Sequence, residues 1–145
     1  MTENVIISIK GKQLFEGQEP DVSELVTSGT LEHNPEEGYT LSYAESELTG
    51  LEGTQTVFRI SDKQITLTRT GGVNSMMVFE EGMRHVSLYE TPYGSLSVGV
   101  NTKRMKSKFT PTGGEIEIDY AIEVDHAVTG QNFFRIRVHT PKFKQ

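Results

Sequence analysis

Two charged residues occupy positions where strand alternation predicts apolar side chains. In the segment KQITLTR the alternating row is Ile65, Leu67 and Arg69, and in GYTLSYAE a row of tyrosine and leucine ends at Glu45. Because side chains at positions i and i+2 of a strand share one face, we expect Arg69 and Glu45 to point inward. An inward guanidinium needs either a carboxylate partner within the protein or an external anion, such as a carboxylate or phosphate bound through two hydrogen bonds.

The two charges are predicted to lie at the same end of a barrel. In an up-and-down meander the strand ends alternate between two rims, so the third and fifth strands exit at one rim. One strand separates them, which places their backbones about 10 Å apart, within reach of two long side chains. The same parity brings further polar and aromatic residues to this rim. The candidate ligand-binding residues are Arg69, Glu45, Tyr43, Thr54, Thr56, Asn74, Ser75 and Tyr89.

These residues suggest a non-catalytic binding site for a small, partly apolar and anionic ligand. Arg69 would contact the anion, Glu45 would hold Arg69, and Tyr43 with Tyr89 would cover the apolar part, under a cap formed by residues 45–56. The hypothesis requires interior space that side chains do not fill. The alternative is a structural ion pair between Arg69 and Glu45 that ties the loop to the barrel.

No sequence motif of a known catalytic class supports an enzyme. GxSxG, a P-loop and GxGxxG are all absent, so no catalytic residue is assigned. A hydrolase using Glu45 is a third hypothesis, and it predicts turnover that Glu45→Gln abolishes. The histidines lack the spacing of a metal site, and His85 is expected to be exposed or structural, so we predict no metal and no cofactor. They are His33, His85, His126 and His139.

Alternation with period two runs through almost the whole chain. EIEIDYAIEVD, residues 115–125, places isoleucine, tyrosine and valine on one face and mostly acids on the other, as a half-buried antiparallel strand does. A short helical turn is considered only for residues 20–26. Strands are predicted near residues 4–14, 23–33, 38–46, 54–60, 63–70, 74–80, 83–90, 94–102, 104–110, 114–125 and 130–139.

The turns between these strands predict a closed barrel. Short links such as Glu81-Gly82 favour hairpins between consecutive strands. Closing the resulting sheet buries its single apolar face and removes exposed edges. The predicted fold is therefore all-β, a single antiparallel up-and-down meander closed into a barrel of about eight to ten strands.

Composition limits the class of protein. The chain has 145 residues, a net charge of -6 and no cysteine, which predicts one domain over residues 1–145 without disulfides or thiolate metal sites. No apolar run approaches the roughly 18 residues of a membrane helix, so we expect a soluble protein. The acidic balance argues against nucleic acid as a partner. The basic residues at 103, 104, 106 and 108 are interpreted as the solvated face of a strand.

Location and assembly are predicted from two short segments. MTENVIISIKGK shows a strand pattern in place of a secretory signal, so a cytoplasmic location is expected. In NSMMVFEE both the row of Met76 and Val78 and the row of Met77 and Phe79 are apolar. An apolar outer face would support a homodimer or another macromolecular partner, which is the second functional hypothesis.

The segments with the most distinctive residues also resemble a known family. They are ELVTSG at 24–29, YAESELTGLEGTQT at 43–56, VNSMMVFEEGMRHVSLYETPYGSLSVGV at 73–100 and GGEIEIDYAIE at 113–123. Across nearly the whole chain the sequence resembles the YwiB-like family of small bacterial proteins of unknown function. The resemblance implies a calycin-type barrel similar to lipocalins and, by a loose analogy, binding of a small hydrophobic molecule; it implies no activity and no catalytic residue. Lipocalins usually carry an export signal and often disulfides, which this sequence lacks.

Overall fold

The computed structural model describes residues 2–14, 19, 21–36, 38–45, 53–71, 74–91, 93–125 and 127–141, with the backbone alone at 88–91, 128 and 129. Within those ranges the secondary structure consists of strands, and no helix there has the length and apolar character needed to cross a membrane. The strands are β1 (Thr2–Leu14), β2 (Asp21–Asn34), β3 (Gly38–Ala44), β4 (Thr54–Ile60), β5 (Ile65–Gly71), β6 (Ser75–Phe79), β7 (Arg84–Thr91), β8 (Gly94–Thr110), β9 (Gly113–Val124) and β10 (Ala127–His139).

The ten strands form one antiparallel sheet in the order β6-β5-β4-β3-β2-β1-β10-β9-β8-β7. Neighbours in the sheet are neighbours in the chain, except where β1 pairs with β10. The strands at the two ends of this order, β6 and β7, are joined by a turn in which Met83 N donates to Glu80 O at 2.9 Å. The sheet thus curls into a nearly closed barrel, and the predicted all-β meander is confirmed.

Two details of the predicted strands are wrong. The segments 94–102 and 104–110 are a single strand, β8, which pairs with β9 on both sides of an irregularity between Thr102 and Arg104. The extra residue interrupts the alternation, which is why the pattern reads as two strands. The helical turn considered at 20–26 is also wrong from Asp21 onward, because these residues belong to β2 and pair with β1.

Alternation places one side chain in two inside the barrel. The inward rows include Ile7, Ile65 and Ile118, which are completely buried. Four aromatic rings meet in the middle of the interior, and three of them pack edge to face with centroid distances of 5.0, 5.7 and 5.8 Å. Such contacts stabilise beyond the burial of area alone. The four rings belong to Phe58, Phe79, Tyr120 and Phe134.

Charged side chains on the outer face follow the same register. On β8, Arg104 lies opposite Asp119 of β9, and Lys106 lies opposite Glu117. On the other side of β9, Arg135 Nε donates to Glu117 Oε1 at 2.9 Å. A slip of one residue would turn these charges into the core, so their outward position fixes the strand register. The basic residues of β8 are exposed, as expected for a solvated strand face.

We expect Phe79→Ala to destabilise the protein by about 3–5 kcal/mol, because the ring is 0% exposed and packs on Tyr120 and Phe134. Met76→Ala is a matched control on the same strand. Its side chain is 48% exposed, and the expected loss is about 0.5 kcal/mol or less. Urea unfolding monitored by circular dichroism measures both changes.

If Phe79→Ala does not fold, a milder substitution at the same position can be compared with Met76→Ala instead. Phe79→Leu retains most of the side-chain volume and should cost about 1–2 kcal/mol. Equal unfolding midpoints for Phe79→Leu and Met76→Ala would contradict the buried position of the ring.

Candidate functional site

Four of the candidate residues form a continuous row across β3, β4, β5 and β6. Tyr43 pairs with Thr56, Thr56 pairs with Arg69, and Arg69 pairs with Ser75. Each lies two positions along its strand from a residue of the core or packed against it, so this set, which we call the Arg69 row, lies on the inner face. The Arg69 row lies near the end of the barrel at which the odd-numbered strands end. We call this end of the barrel the Arg69 rim.

Glu45 follows β3 directly and extends its pairing with β4 by one position. Its backbone N donates to Thr54 O at 2.8 Å. The side chain is 2% exposed; Oε2 accepts a hydrogen bond of 2.6 Å from Thr56 Oγ1 and lies 3.9 Å from Arg69 Nε. A buried carboxylate is costly unless charge and hydrogen bonds compensate it, and Thr56 with Arg69 supplies both.

The guanidinium of Arg69 is incompletely satisfied. Its Nε is buried and has no hydrogen-bond partner among the described residues, since 3.9 Å to Glu45 is too long for a hydrogen bond. The side chain as a whole is 27% exposed. Thr54 Oγ1 at the same rim is also buried without a partner. The rim therefore combines a reachable cation with unused hydrogen-bonding capacity.

The charge of Arg69 affects the pKa values of two buried tyrosines, Tyr43 and Tyr120. Burial, together with the Glu45 carboxylate, raises the pKa of Tyr43 to about 12, although the positive charge of Arg69 opposes the shift. Burial likewise raises the pKa of Tyr120, and Arg69 again lowers it. The ring of Tyr120 packs on Phe79 at a centroid distance of 5.0 Å, so the β9 wall that carries Tyr120 faces β6, the strand next to β5.

Tyr120 is the residue of this site that sequence reasoning missed. The alternation in β9 placed it on the inward face, in the row of Ile116, Ile118 and Ile122. Nothing local to the sequence says that β9 lies across the interior from β5. That proximity arises from closure of the sheet through the pairing of β1 with β10.

An opening of about 210 Å³ lies at the Arg69 rim between β1, β2, β9 and β10. Tyr120 and Phe134 line it together with the polar side chains of Ser23 and Asn132. On the same rim, Leu96 shares a strand face with the buried side chains of Val98 and Val100, yet it is 37% exposed. The aromatic rings fill the middle of the barrel, and none of the residues of the Arg69 row lines this opening.

Larger concavities lie on the outer surface and are less suited to a site. One, of about 350 Å³, runs beside Lys10, Val26 and Arg135, and another, of about 510 Å³, lies beside Arg137 and His139. Charged side chains of the outer strand face line both of them, Lys10 and Glu24 in the first and Lys108 and Glu115 in the second. The smaller opening differs from them in being lined by two rings of the interior, Tyr120 and Phe134.

The remaining candidate residues have different surroundings. Asn74 is exposed, and its Oδ1 accepts a hydrogen bond of 3.3 Å from Gly71 N, so it stabilises the turn before β6. Ser75 is half-buried within the Arg69 row. The side chain of Tyr89 lies outside the described residues, as do positions 46–52 of the predicted cap.

The histidines do not join the site. His85 Nε2 lies 3.0 Å from Glu80 Oε1, which also accepts a hydrogen bond of 3.2 Å from Gln64, at the opposite end of the barrel. His33 stacks on Tyr39. His126 lies outside the described residues. In the part of the chain that the structure describes, no group of three or more histidine, aspartate or glutamate side chains is arranged to hold a metal ion.

The fold defines a class of protein: small, nearly closed barrels made of a ten-stranded antiparallel meander. Residues 7–136 match the family model described as a domain of unknown function, DUF1934, and the chain belongs to this family. It is 24% identical over 125 residues to the uncharacterised beta-barrel protein YwiB of Bacillus subtilis strain 168, covering 86% of each chain. The crystal structure of that bacterium's ywiB protein superposes with a TM-score of 0.84 at 21% identity, over 97% of this chain and 94% of the other. The predicted YwiB-like membership is confirmed, and the structural match supports the fold.

The pKa of Tyr43 leads to a prediction about alkaline stability. Between pH 10 and about 12 the unfolded tyrosine loses its proton while the folded one keeps it, so this group's contribution is complete below pH 10 and is lost as the pH rises. Relative to Tyr43→Phe, the wild-type protein should lose on the order of 2 kcal/mol of unfolding free energy across this range. Urea unfolding at several pH values measures the difference.

Tyr93→Phe is the control, since Tyr93 is 100% exposed. This variant should follow the wild-type protein at every pH. Parallel loss of stability in the wild-type protein and Tyr43→Phe would show that Tyr43 titrates as an ordinary tyrosine.

Proposed function

We propose that this protein is a non-catalytic, cytoplasmic binding module for a small, partly apolar anion that enters at the Arg69 rim. The observation that carries the proposal is the buried Nε of Arg69, which has no hydrogen-bond partner among the described residues. A buried charged donor without a partner is costly, and an external anion at the exposed part of the side chain, which is 27% exposed, would compensate the charge of the guanidinium.

The surroundings of Arg69 fit this role. The guanidinium is planar and presents several donors, which suits a carboxylate or phosphate. Glu45 fixes the position of the guanidinium at 3.9 Å without taking the Nε hydrogen bond. Thr56 in turn fixes Glu45. Binding of an anion would thus use a cation that is already placed, and little ordering of the side chain would be needed.

The surroundings of Glu45 favour a positioning role over a catalytic one. A general acid or base must reach the proton that it transfers. The Glu45 side chain is 2% exposed and is bonded to Thr56, so it faces the protein more than the opening.

A second candidate function is docking of a partner or of a second copy through the outer face of β6 and β7. Met76, Met83 and Val86 are each about half exposed there, which is unusual for large apolar side chains. Such a protein would need no ligand at the rim. Its partner binding would be insensitive to Arg69→Gln.

Native mass spectrometry of protein purified from bacterial cytosol tests the proposal. We expect a reproducible co-purifying mass in the wild-type protein, released on denaturation and lost in Arg69→Gln because the anion loses its cation. Arg59→Gln is the matched control, since Arg59 is an exposed arginine on β4, pointing outward beside the same rows. Circular dichroism verifies that both variants are folded.

Two results would overturn the proposal. One is a bare wild-type protein, and if that protein is dimeric the docking function gains support. The other is a bound mass that persists in Arg69→Gln at the wild-type level, which would leave Arg69 and Glu45 as a structural ion pair.

A further inference from the structure

The barrel wall is open beside the first part of β2. On one side β2 pairs with β1 from Asp21 onward. On its other side, pairing with β3 begins only at Thr30, opposite Ser42. Gly29 still touches β3, because a Cβ there would lie 3.1 Å from Tyr43 Cβ. Among the described residues, positions 21–28 therefore have a neighbouring strand on one side only.

The course of β3 explains this gap. At its end β3 stays with β4: Ala44 pairs with Gln55, and Glu45 N donates to Thr54 O at 2.8 Å. The strands β2 and β3 thus separate toward the Arg69 rim while each keeps its partner on the far side. We call residues 21–28 the free edge of β2; at the usual rise of a strand it is about 26 Å long.

The side chains of the free edge are unusually exposed. Six of its eight residues are exposed. Val22 and Val26, which point outward, are 52% and 68% exposed. A valine in a sheet is normally covered by side chains of the strands on both sides, so these values agree with a missing neighbour on the side of β3.

The free edge lacks the usual protection against strand addition. Natural sheet edges are commonly protected by lysine, proline or a bulge. Residues 21–28 contain neither lysine nor proline, and their pairing with β1 runs without a register shift. An edge of this kind can accept an extended peptide, which then binds through main-chain hydrogen bonds while its side chains determine specificity.

The charge around the free edge indicates which kind of strand fits. Residues 13–58 contain ten acidic residues and no lysine or arginine. Glu24, in the middle of the edge, has a side chain that is 71% exposed, and Lys10 lies 3.7 Å from it. An exposed ion pair of this kind is weak and leaves the carboxylate available. A basic strand would complement this edge, whereas a second copy of β2 would bring acids against acids.

We propose that a partner protein adds an extended, basic segment to the free edge of β2 as an eleventh strand. Antiparallel pairing would continue the pattern of the whole sheet. In that arrangement a lysine or arginine of the partner lies opposite Glu24, and apolar side chains lie opposite Val22 and Val26. The interface uses no residue of the Arg69 row, so this proposal and the proposed anion binding do not rest on each other.

Fluorescence anisotropy with a labelled peptide tests the kind of partner. The peptide TVVKTVK, blocked at both ends, pairs antiparallel from position 27 back to position 21, with its lysines opposite Glu24 and Asp21. We expect saturable binding. TVVETVE should bind at least about tenfold more weakly, because its acids then face acids.

Backbone methylation separates strand addition from simple charge attraction. Successive amides of an extended peptide point to opposite sides, so only one alternate set can donate to β2. Two forms of TVVKTVK, each methylated at one of the two sets, keep both lysines. We expect one form to lose binding and the other to retain it.

Charge variants locate the peptide on the edge. Glu24→Lys should reverse the preference, so that TVVETVK binds more tightly than TVVKTVK. The matched control is Glu32→Lys, an exposed acid on the part of β2 that β3 covers, and it should keep the wild-type preference. Val26→Lys should weaken TVVKTVK by at least about tenfold. Val86→Lys, at a half-exposed valine of β7, should leave the binding of TVVKTVK unchanged.

Several results would overturn the proposal. They are no saturable binding of TVVKTVK, equal affinity for the lysine and glutamate peptides, retention of binding by both methylated forms, and an unchanged preference in Glu24→Lys. Analytical ultracentrifugation tests the other occupant: a dimer that Val26→Lys dissociates would show that a second copy takes the edge, which also overturns the proposal. Arg69→Gln should bind TVVKTVK as the wild-type protein does, so failure of the anion site leaves this inference standing.

Discussion

The pleat of a closed sheet is the constraint on which the rest of this structure depends. Every second side chain of each strand enters one shared interior, and ten strands supply it. Any inward polar residue must therefore be compensated from within or lie where the barrel opens. Glu45 is compensated from within, by Thr56 and Arg69. Arg69 lies at the rim, where its side chain is 27% exposed and its Nε has no hydrogen-bond partner among the described residues.

The electrostatics of the rim limit how much this ion pair contributes to stability. A buried ion pair seldom stabilises a fold more than well-packed apolar residues of the same volume would. At 3.9 Å the pair also lacks the direct hydrogen bond that makes such contacts strong. The same guanidinium counteracts the effect of burial on Tyr43 and Tyr120. Arg69 therefore interacts electrostatically with Glu45, Tyr43 and Tyr120, and its Nε forms no hydrogen bond with any of them.

The parts of this site that could be predicted from sequence are those that depend on local geometry. The inward direction of Arg69 and Glu45 follows from alternation within one strand, and their shared rim follows from the direction of successive hairpins. Tyr120 could not be assigned in this way, because its packing on Phe79 of β6 depends on how the sheet closes. The opening is likewise a product of packing, since Gly11 and Ser23 create space only when β1 and β2 pair. The sequence pattern predicts two strands in place of β8, because one added residue near Thr102 shifts the alternation.

The pairing of β1 with β10 has a consequence for how the chain is made. It joins Ile6 to His139, so β1 must wait for β10 to leave the ribosome before the two can pair. Contacts so distant in sequence slow folding, and until they form β1 keeps an unpaired edge beside the apolar side chains of Val5 and Ile7. Such an edge invites pairing with other chains, and lysine is a common protection against it. Lys10 and Lys12, exposed on β1, would give the nascent chain that protection before closure.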